Sequence, residues 1–313
     1  MVFASRRDFL LQSAAAAAVG TVGAQTGLSA QAGPNAPAMA IAQWKGPKAP
    51  TAQEIDRIAE QLTIKAIEAI GGISRFVRRG DVVWVKPNIA WIQPPEMAAN
   101  TNPAVVATIV RLCFEAGAKQ VKVGDNPVDV VDQAYERSGI PAAVRPLGAQ
   151  VVIMDRSRFR RVDIKGERLK SIPIYPEVLD ADLVINVPIA KHHSLATITV
   201  AMKNFMGVVE ERRTFHQAIG ETLTDLTRFL QPKISVVDAV RVLVARGPRG
   251  GRLEDVRMPL AIAAGTDIVA LDAWAAEILG RKPEEISSVV CGHKAGLGTM
   301  DYRSLKPVEI AVA

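Results

Sequence analysis

Past residue 50 the chain alternates between two rhythms of apolar residues. Ile55, Ile58, Ala59, Leu62, Ala66 and Ile70 recur at helical spacing, behind a Thr51-Ala52-Gln53-Glu54 capping box and ahead of Gly71-Gly72. Val82 to Lys86 then reads as a short, nearly all-apolar strand. Pro103 to Ala116 reads as a helix with proline in its first turn and Gly117 beyond its end. Val121 to Gly124 is expected as a strand, Val130 to Ser138 as a helix closed by Gly139, and Val151 to Met154 as a strand. Leu183 to Val187 and Ile234 to Val237 are two more buried-type strands, with a helix marked by Leu223, Leu226, Thr227 and Leu230 between them. Pro259 to Ala264 (strand), Ile268 to Leu279 (helix) and Val308 to Val312 (strand) complete the series. Short apolar strands interleaved with helices predict an α/β fold with a largely parallel sheet flanked by helices. The polar stretch Arg156 to Ile172 breaks the alternation and is expected to form a small hairpin excursion. No internal repeat is visible.

The first 50 residues read differently. Ser5-Arg6-Arg7-Asp8-Phe9-Leu10, the apolar run Ser13 to Val22 and the small-residue triplet Ala30-Gln31-Ala32 have the order of a signal peptide, and the paired arginines make it resemble a twin-arginine signal. Residues 1–32 are thus expected to direct the chain to the periplasm. Residues 33–50 carry Pro34, Pro37, Pro47 and Pro50 and read as an extended linker. The remainder, residues 51–313, is expected as one α/β domain with room for two lobes.

Composition narrows the function classes. Of 313 residues, 49% are hydrophobic and 22% charged, an ordinary globular balance that excludes a disordered or collagen-like chain. Two cysteines exclude a disulfide scaffold and an all-cysteine iron–sulfur or zinc site within one chain. Cys113 lies on a helical apolar stripe and Cys291 ends the run Val289-Val290, so both read as packed thiols. No internal run in the mature chain approaches the roughly 20 apolar residues of a membrane span. The net charge of +6 is scattered, which argues against nucleic acid and suits a small anionic ligand held by a few lysines and arginines.

Ligands of open α/β sheets collect beyond the carboxyl ends of the strands. There the sequence sets Lys86-Pro87-Asn88, then Gly124-Asp125-Asn126, then Lys191-His192-His193, then Asp238 and the glycine-flanked Arg249. Lys203-Asn204 and His216 follow the histidine pair, so three of the four histidines fall in one segment. Lys86, Lys191, Lys203 and Arg249 suit a carboxylate or phosphate. His193 or His216 suits a proton carrier, and His192, His193 and His216 are candidate ligands of a transition metal, although their spacing matches no compact zinc motif. Asn88, Asp125, Asn204 and Asp238 are candidates to orient these groups or to bind the ligand. Asp182 precedes its strand and is expected at the opposite rim. The Gly247–Gly251 loop is not a phosphate-binding P-loop, since no Gly-Lys-Ser/Thr follows, and Gly296-Leu297-Gly298 is too short for a dinucleotide fingerprint.

Taken together, these motifs resemble the domain-of-unknown-function 362 family. The likeness runs from about Lys86 to Gly298. It rests on Lys86-Pro87-Asn88, Thr101-Asn102-Pro103, Gly124-Asp125, Asn186-Val187-Pro188, Lys191-His192-His193, Thr197 to Thr199, Lys203-Asn204 to Gly207, His216, Asp238-Ala239 and Gly265-Thr266-Asp267 to Asp272-Ala273. Some members of that family carry ferredoxin-type iron–sulfur modules, so the resemblance implies a redox association and an iron–sulfur partner protein. This chain lacks the cysteines for such a cluster. Lys191-x-His193 with Lys203, Gly207 and His216 also looks like a stretch of lactate-racemase-like proteins that use a nickel pincer cofactor. That likeness implies lysines holding an anionic cofactor and substrate while a histidine ligates metal or moves a proton. The expectation is an exported enzyme of redox or metal-assisted chemistry acting on a small anion. The alternatives are a non-catalytic envelope protein that binds an anion or metal, and an accessory subunit of an exported iron–sulfur complex.

Overall fold

The computed structural model describes residues 36–47 and 50–313; the expected signal, residues 1–32, lies outside them. The strands are β1 (Met39–Trp44), β2 (Val82–Pro87), β3 (Gln120–Val123), β4 (Gln150–Val151), β5 (Arg160–Asp163), β6 (Ser171–Ile174), β7 (Leu183–Val187), β8 (Ile189–His193), β9 (Thr197–Thr199), β10 (Ile234–Leu243), β11 (Val256–Arg257), β12 (Ala261–Gly265) and β13 (Val308–Val312). The helices are α1 (Ala52–Ala69), α2 (Pro103–Glu115), α3 (Val131–Ser138), α4 (Ile140–Val144), α5 (Pro176–Asp180), α6 (Ala201–Asn204), α7 (Ile219–Leu230), α8 (Ile268–Ile278) and α9 (Ser287–Lys294).

The main sheet runs β13-β1-β12-β10-β7-β2-β3-β4, and along it only β12 is antiparallel to its neighbours. The α/β class and the largely parallel sheet are therefore as expected. Both faces of the sheet are buried. Val83 and Val85 of β2, Ile262 and Ala264 of β12, and Ala40 and Ala42 of β1 pack with the apolar faces of α1 to α4. Trp84, Ala261, Ala263, Met39 and Ile41 face the other layer, with α6 to α9. Burial on both faces is why these strands read as continuous apolar runs. Helix α1 starts where its capping box lies: Thr51 Oγ1 accepts the Glu54 N–H at 3.3 Å, and Glu54 Oε2 accepts the Thr51 N–H at 2.7 Å.

Several expectations need correction. Residues 33–50 are not linker throughout, because Met39–Trp44 is strand β1, paired on both sides inside the sheet. Its prolines flank the strand instead of interrupting it, and both faces of Met-Ala-Ile-Ala-Gln-Trp are buried. Strand β10 runs on to Leu243, well past Val237, and switches partner from β7 to β8 at Asp238. Lys191, His192 and His193, expected just beyond the end of a strand, lie in a strand of their own, β8, hydrogen-bonded to β9. Helix α9 has no counterpart in the sequence reading. The polar excursion does form a hairpin, β5 against β6.

Candidate functional site

Lysine 86 ends β2 with its side chain wholly inside the protein. Its ammonium forms an ion pair with Asp125 Oδ1 at 2.8 Å and donates to Pro87 O at 2.7 Å and to Asn204 Oδ1 at 3.1 Å. Burial pushes its pKa down, against the pull of Asp125. Asp125, just past β3, also accepts the N–H of Ile89 at 2.6 Å and of Asn126 at 2.8 Å. Lys86 thus spends all three N–H groups inside the protein, and Asp125 is held by Lys86 and two backbone N–H groups. Gly207 packs directly on the pair: a Cβ there would stand 1.8 Å from Asp125 Oδ1 and 2.5 Å from Lys86 Nζ.

Asn204 is the hub that joins this pair to the next lysine. Its amide nitrogen donates to Lys86 O at 3.1 Å and to Asn186 Oδ1 at 2.9 Å, and its oxygen also accepts from Asn88 Nδ2 at 3.0 Å. The other end of the Asn88 amide accepts from Lys191 Nζ at 2.9 Å, and Lys191 donates further to Ala99 O. Neither acceptor is a carboxylate. With 1% of its surface exposed, Lys191 is pushed down to about 7 by burial and then by the charge of Lys203.

Lys203 lies on α6, whose first N–H groups, from Ala201 and Met202, donate to the buried carboxylate of Asp272 at 2.6 and 3.1 Å. Among the described residues the one hydrogen-bond acceptor of Lys203 Nζ is the Met206 sulfur at 3.3 Å, a weak one. Burial, then the charge of Arg212, holds the Lys203 amine down at about 7. Arg212 donates to Met206 O and Pro127 O, both at 3.3 Å, and to Asn126 O, and burial lowers its pKa too.

Lys191 and His193 point to the same side of β8, two residues apart, and His192 to the other. His193 Nδ1 accepts the N–H groups of Leu195 and Ala196 at 3.1 and 3.2 Å. Burial, then Lys203 and Lys191, push its pKa down to about 3. A neutral ring whose Nδ1 accepts must carry its hydrogen on Nε2, so His193 offers a donor and no free lone pair. His192 Nδ1 accepts the Gly247 N–H at 3.1 Å. His216 is exposed at its rim; partial burial, then the charge of Lys203, lowers its pKa.

The structure therefore brings Lys86, Asn88, Asp125, Lys191 and Asn204 into one bonded network. Lys203, His193 and His216 are coupled to it by charge. It does not assemble a metal centre: among the described residues no three His, Cys, Asp or Glu side chains converge to hold an ion. The two adjacent histidines spend Nδ1 on backbone and face opposite ways, so their arrangement lends no support to the histidine-ligand expectation.

Two of the expected ligand-binding residues stand apart from this network. Asp238 is a structural brace: its carboxylate accepts the N–H groups of Asn102 at 2.8 Å and Val240 at 2.9 Å, and burial raises it to about 6. Arg249 stands at the outer rim, 59% of its side chain exposed, paired with Asp129 at 3.3 Å and stacked over Trp91. Asp182 does lie at the opposite rim, bonded to the first residue of β2. Sequence reasoning missed Arg212, since Glu210-Glu211-Arg212-Arg213 reads as a solvated run of charge.

Comparison with known proteins adds a family and one curated relative. A family profile described as "Domain of unknown function (DUF362)" matches residues 83–277. Thylakoid-associated protein sll1697 of Synechocystis sp. is 29% identical over 241 residues, covering 74% of this chain and 73% of that protein. The lactate racemase apoprotein of Thermoanaerobacterium thermosaccharolyticum superposes with a TM-score of 0.48 at 11% identity, over 70% of this chain and 54% of that one. The chain thus spans about half the length of that protein.

Proposed function

The chain belongs to the domain-of-unknown-function 362 family, and from that premise we propose that it is an enzyme that binds a small carboxylate or phosphate at a buried cationic cluster of Lys191, Lys203 and Arg212. The observation that carries the reading is Lys203: a lysine with 9% of its surface exposed whose one acceptor among the described residues is a thioether. Charges buried without a partner are costly, so a site of this kind is built for a partner that arrives from outside. Asp125 is hydrogen-bonded to Lys86 and to two backbone N–H groups; it reaches Lys191 and Arg212 only through space, and burial still outweighs that pull at both. An incoming anion would find the spare N–H groups of Lys203, Lys191 and Arg212. His193 Nε2–H would be the neutral donor beside them.

Proton transfer is the chemistry this arrangement supports. Two lysine amines poised near neutrality can take or give a proton at working pH. The donor set lends no support to a metal held by His192, His193 and His216. Export by the twin-arginine route to the periplasm is the matching proposal for location, supported by the order of parts in residues 1–32.

The test is a thermal-unfolding series at about pH 6 with sulfate, phosphate and small carboxylates. Binding to the folded state alone should raise the midpoint with the logarithm of ligand concentration once that exceeds Kd. Lys203→Ala is expected to weaken the effect by about tenfold to a hundredfold in concentration, the usual worth of one charge-assisted contact. Anions that leave the midpoint unmoved, or move it equally in the variant, contradict the reading.

A further inference from the structure

Three lysines converge at this site, and they differ in what their nitrogens do. Lys86 uses all three N–H groups on oxygen acceptors. Lys191 uses two, on Asn88 Oδ1 and Ala99 O. Among the described residues Lys203 uses one, on sulfur, and it keeps a little surface open where Lys86 has none. A lysine amine with no carboxylate beside it, buried near other cations, is held toward the neutral form that carries a lone pair. Such amines are the nucleophiles of carbonyl chemistry.

We propose that Lys203 Nζ adds to the carbonyl carbon of a small 2-oxo acid and forms an imine, with the substrate carboxylate held by Lys191 and Arg212. This rests on the anion-binding reading above and names its substrate class. The nitrogen lone pair forms the C–N bond while the carbonyl π pair moves to oxygen, which takes a proton. The resulting carbinolamine loses its hydroxyl and the remaining nitrogen proton as water. Amine and ketone thus give imine and water, and no oxidant or reductant is required. His193 Nε2–H, on the Lys191 side of β8, is the donor available to the carbonyl oxygen. Lys65, exposed and beside Glu68 at 2.9 Å, serves as the surface reference.

The experiment uses the unaltered protein. Pyruvate with cyanoborohydride reduces any imine to a stable carboxyethyl-lysine, which peptide mapping locates. The expected adduct is at Lys203, ahead of the exposed Lys65 and Lys294. Excess sulfate, filling the anion site, should slow its formation at least about tenfold without protecting Lys65. Pyruvate that binds by calorimetry while Lys203 stays unlabelled would overturn the imine and leave the anion site standing. Labelling of Lys203 no faster than of Lys65, and indifferent to sulfate, would overturn it as well. No binding and no labelling would remove both readings together.

Discussion

Lys191 donates to the amide oxygen of Asn88 at 2.9 Å, deep in the protein where a carboxylate would ordinarily meet a lysine. The amide orients the ammonium but cannot neutralise it, so the charge remains available to a ligand. Replacing the amide by a carboxylate should close that opening. Asn88→Asp is expected to raise the Lys191 pKa and to weaken anion binding at least about tenfold, as an internal counter-ion competes with the ligand. Calorimetric titration with sulfate checks it; undiminished affinity would mean that Lys191 does not face the ligand.

Stability should pass through a minimum near neutral pH. Unfolded lysines keep their protons up to 10.5, whereas the folded Lys191 and Lys203 give them up near about 7. Folding therefore releases protons in that window, and stability climbs with pH from about 7 to 10.5. Asp238 and Asp272 run the other way. Their folded values of about 6 and about 7, against 3.8 unfolded, give stability that is full below 3.8 and is lost as pH rises through about 6 to 7. Unfolding midpoints measured across pH should show the dip. Lys203→Met should flatten its alkaline limb, and sulfate should raise its floor by about 2 °C or more.

The packing of Gly207 on the Lys86–Asp125 pair leaves no room for a methyl group. Gly207→Ala must displace a buried ion pair or the backbone that carries Asn126, whose N–H donates to Gly207 O at 2.9 Å. The expected loss is about 3 kcal/mol, the cost of disturbing a buried pair. Denaturant unfolding measures it, and a loss below about 1 kcal/mol would show that the pair relaxes freely.

Asp238 separates scaffold from site. Asp238→Ala leaves the N–H groups of Asn102 and Val240 buried without an acceptor. A stability loss of about 2 to 4 kcal/mol is expected, from two stranded donors. Sulfate affinity should stay within about twofold of the original, because the carboxylate is no part of the anion cluster. A large fall in affinity at unchanged stability would return Asp238 to the site.

Much of the fold is legible in the sequence because the sheet is buried on both faces, which makes β2, β7 and β12 stand out as apolar runs. β1 is hidden by the prolines around it. β8 is hidden by its own chemistry, since Lys191-His192-His193 has no apolar rhythm and its pairing with β9 is a tertiary fact. The same strand-end rule that finds Lys86 and Asp125 misplaces Asp238, because β10 continues past it. Which nitrogen of a histidine is spent on backbone, and whether Arg212 turns inward or outward, depends on contacts that no spacing encodes. Lys203 is visible as a lysine, but its want of an oxygen partner is visible only in three dimensions.

The most direct test of the cationic site is a calorimetric titration with pyruvate, whose charge is constant above about pH 4, carried out between about pH 6 and pH 9. One site per chain is expected, with affinity falling at least tenfold across that range as Lys203 and Lys191 lose their protons, and with affinity at about pH 6 at least about tenfold weaker in Lys203→Ala. Affinity that is independent of pH and survives Lys203→Ala, or no heat at any pH, would contradict the account.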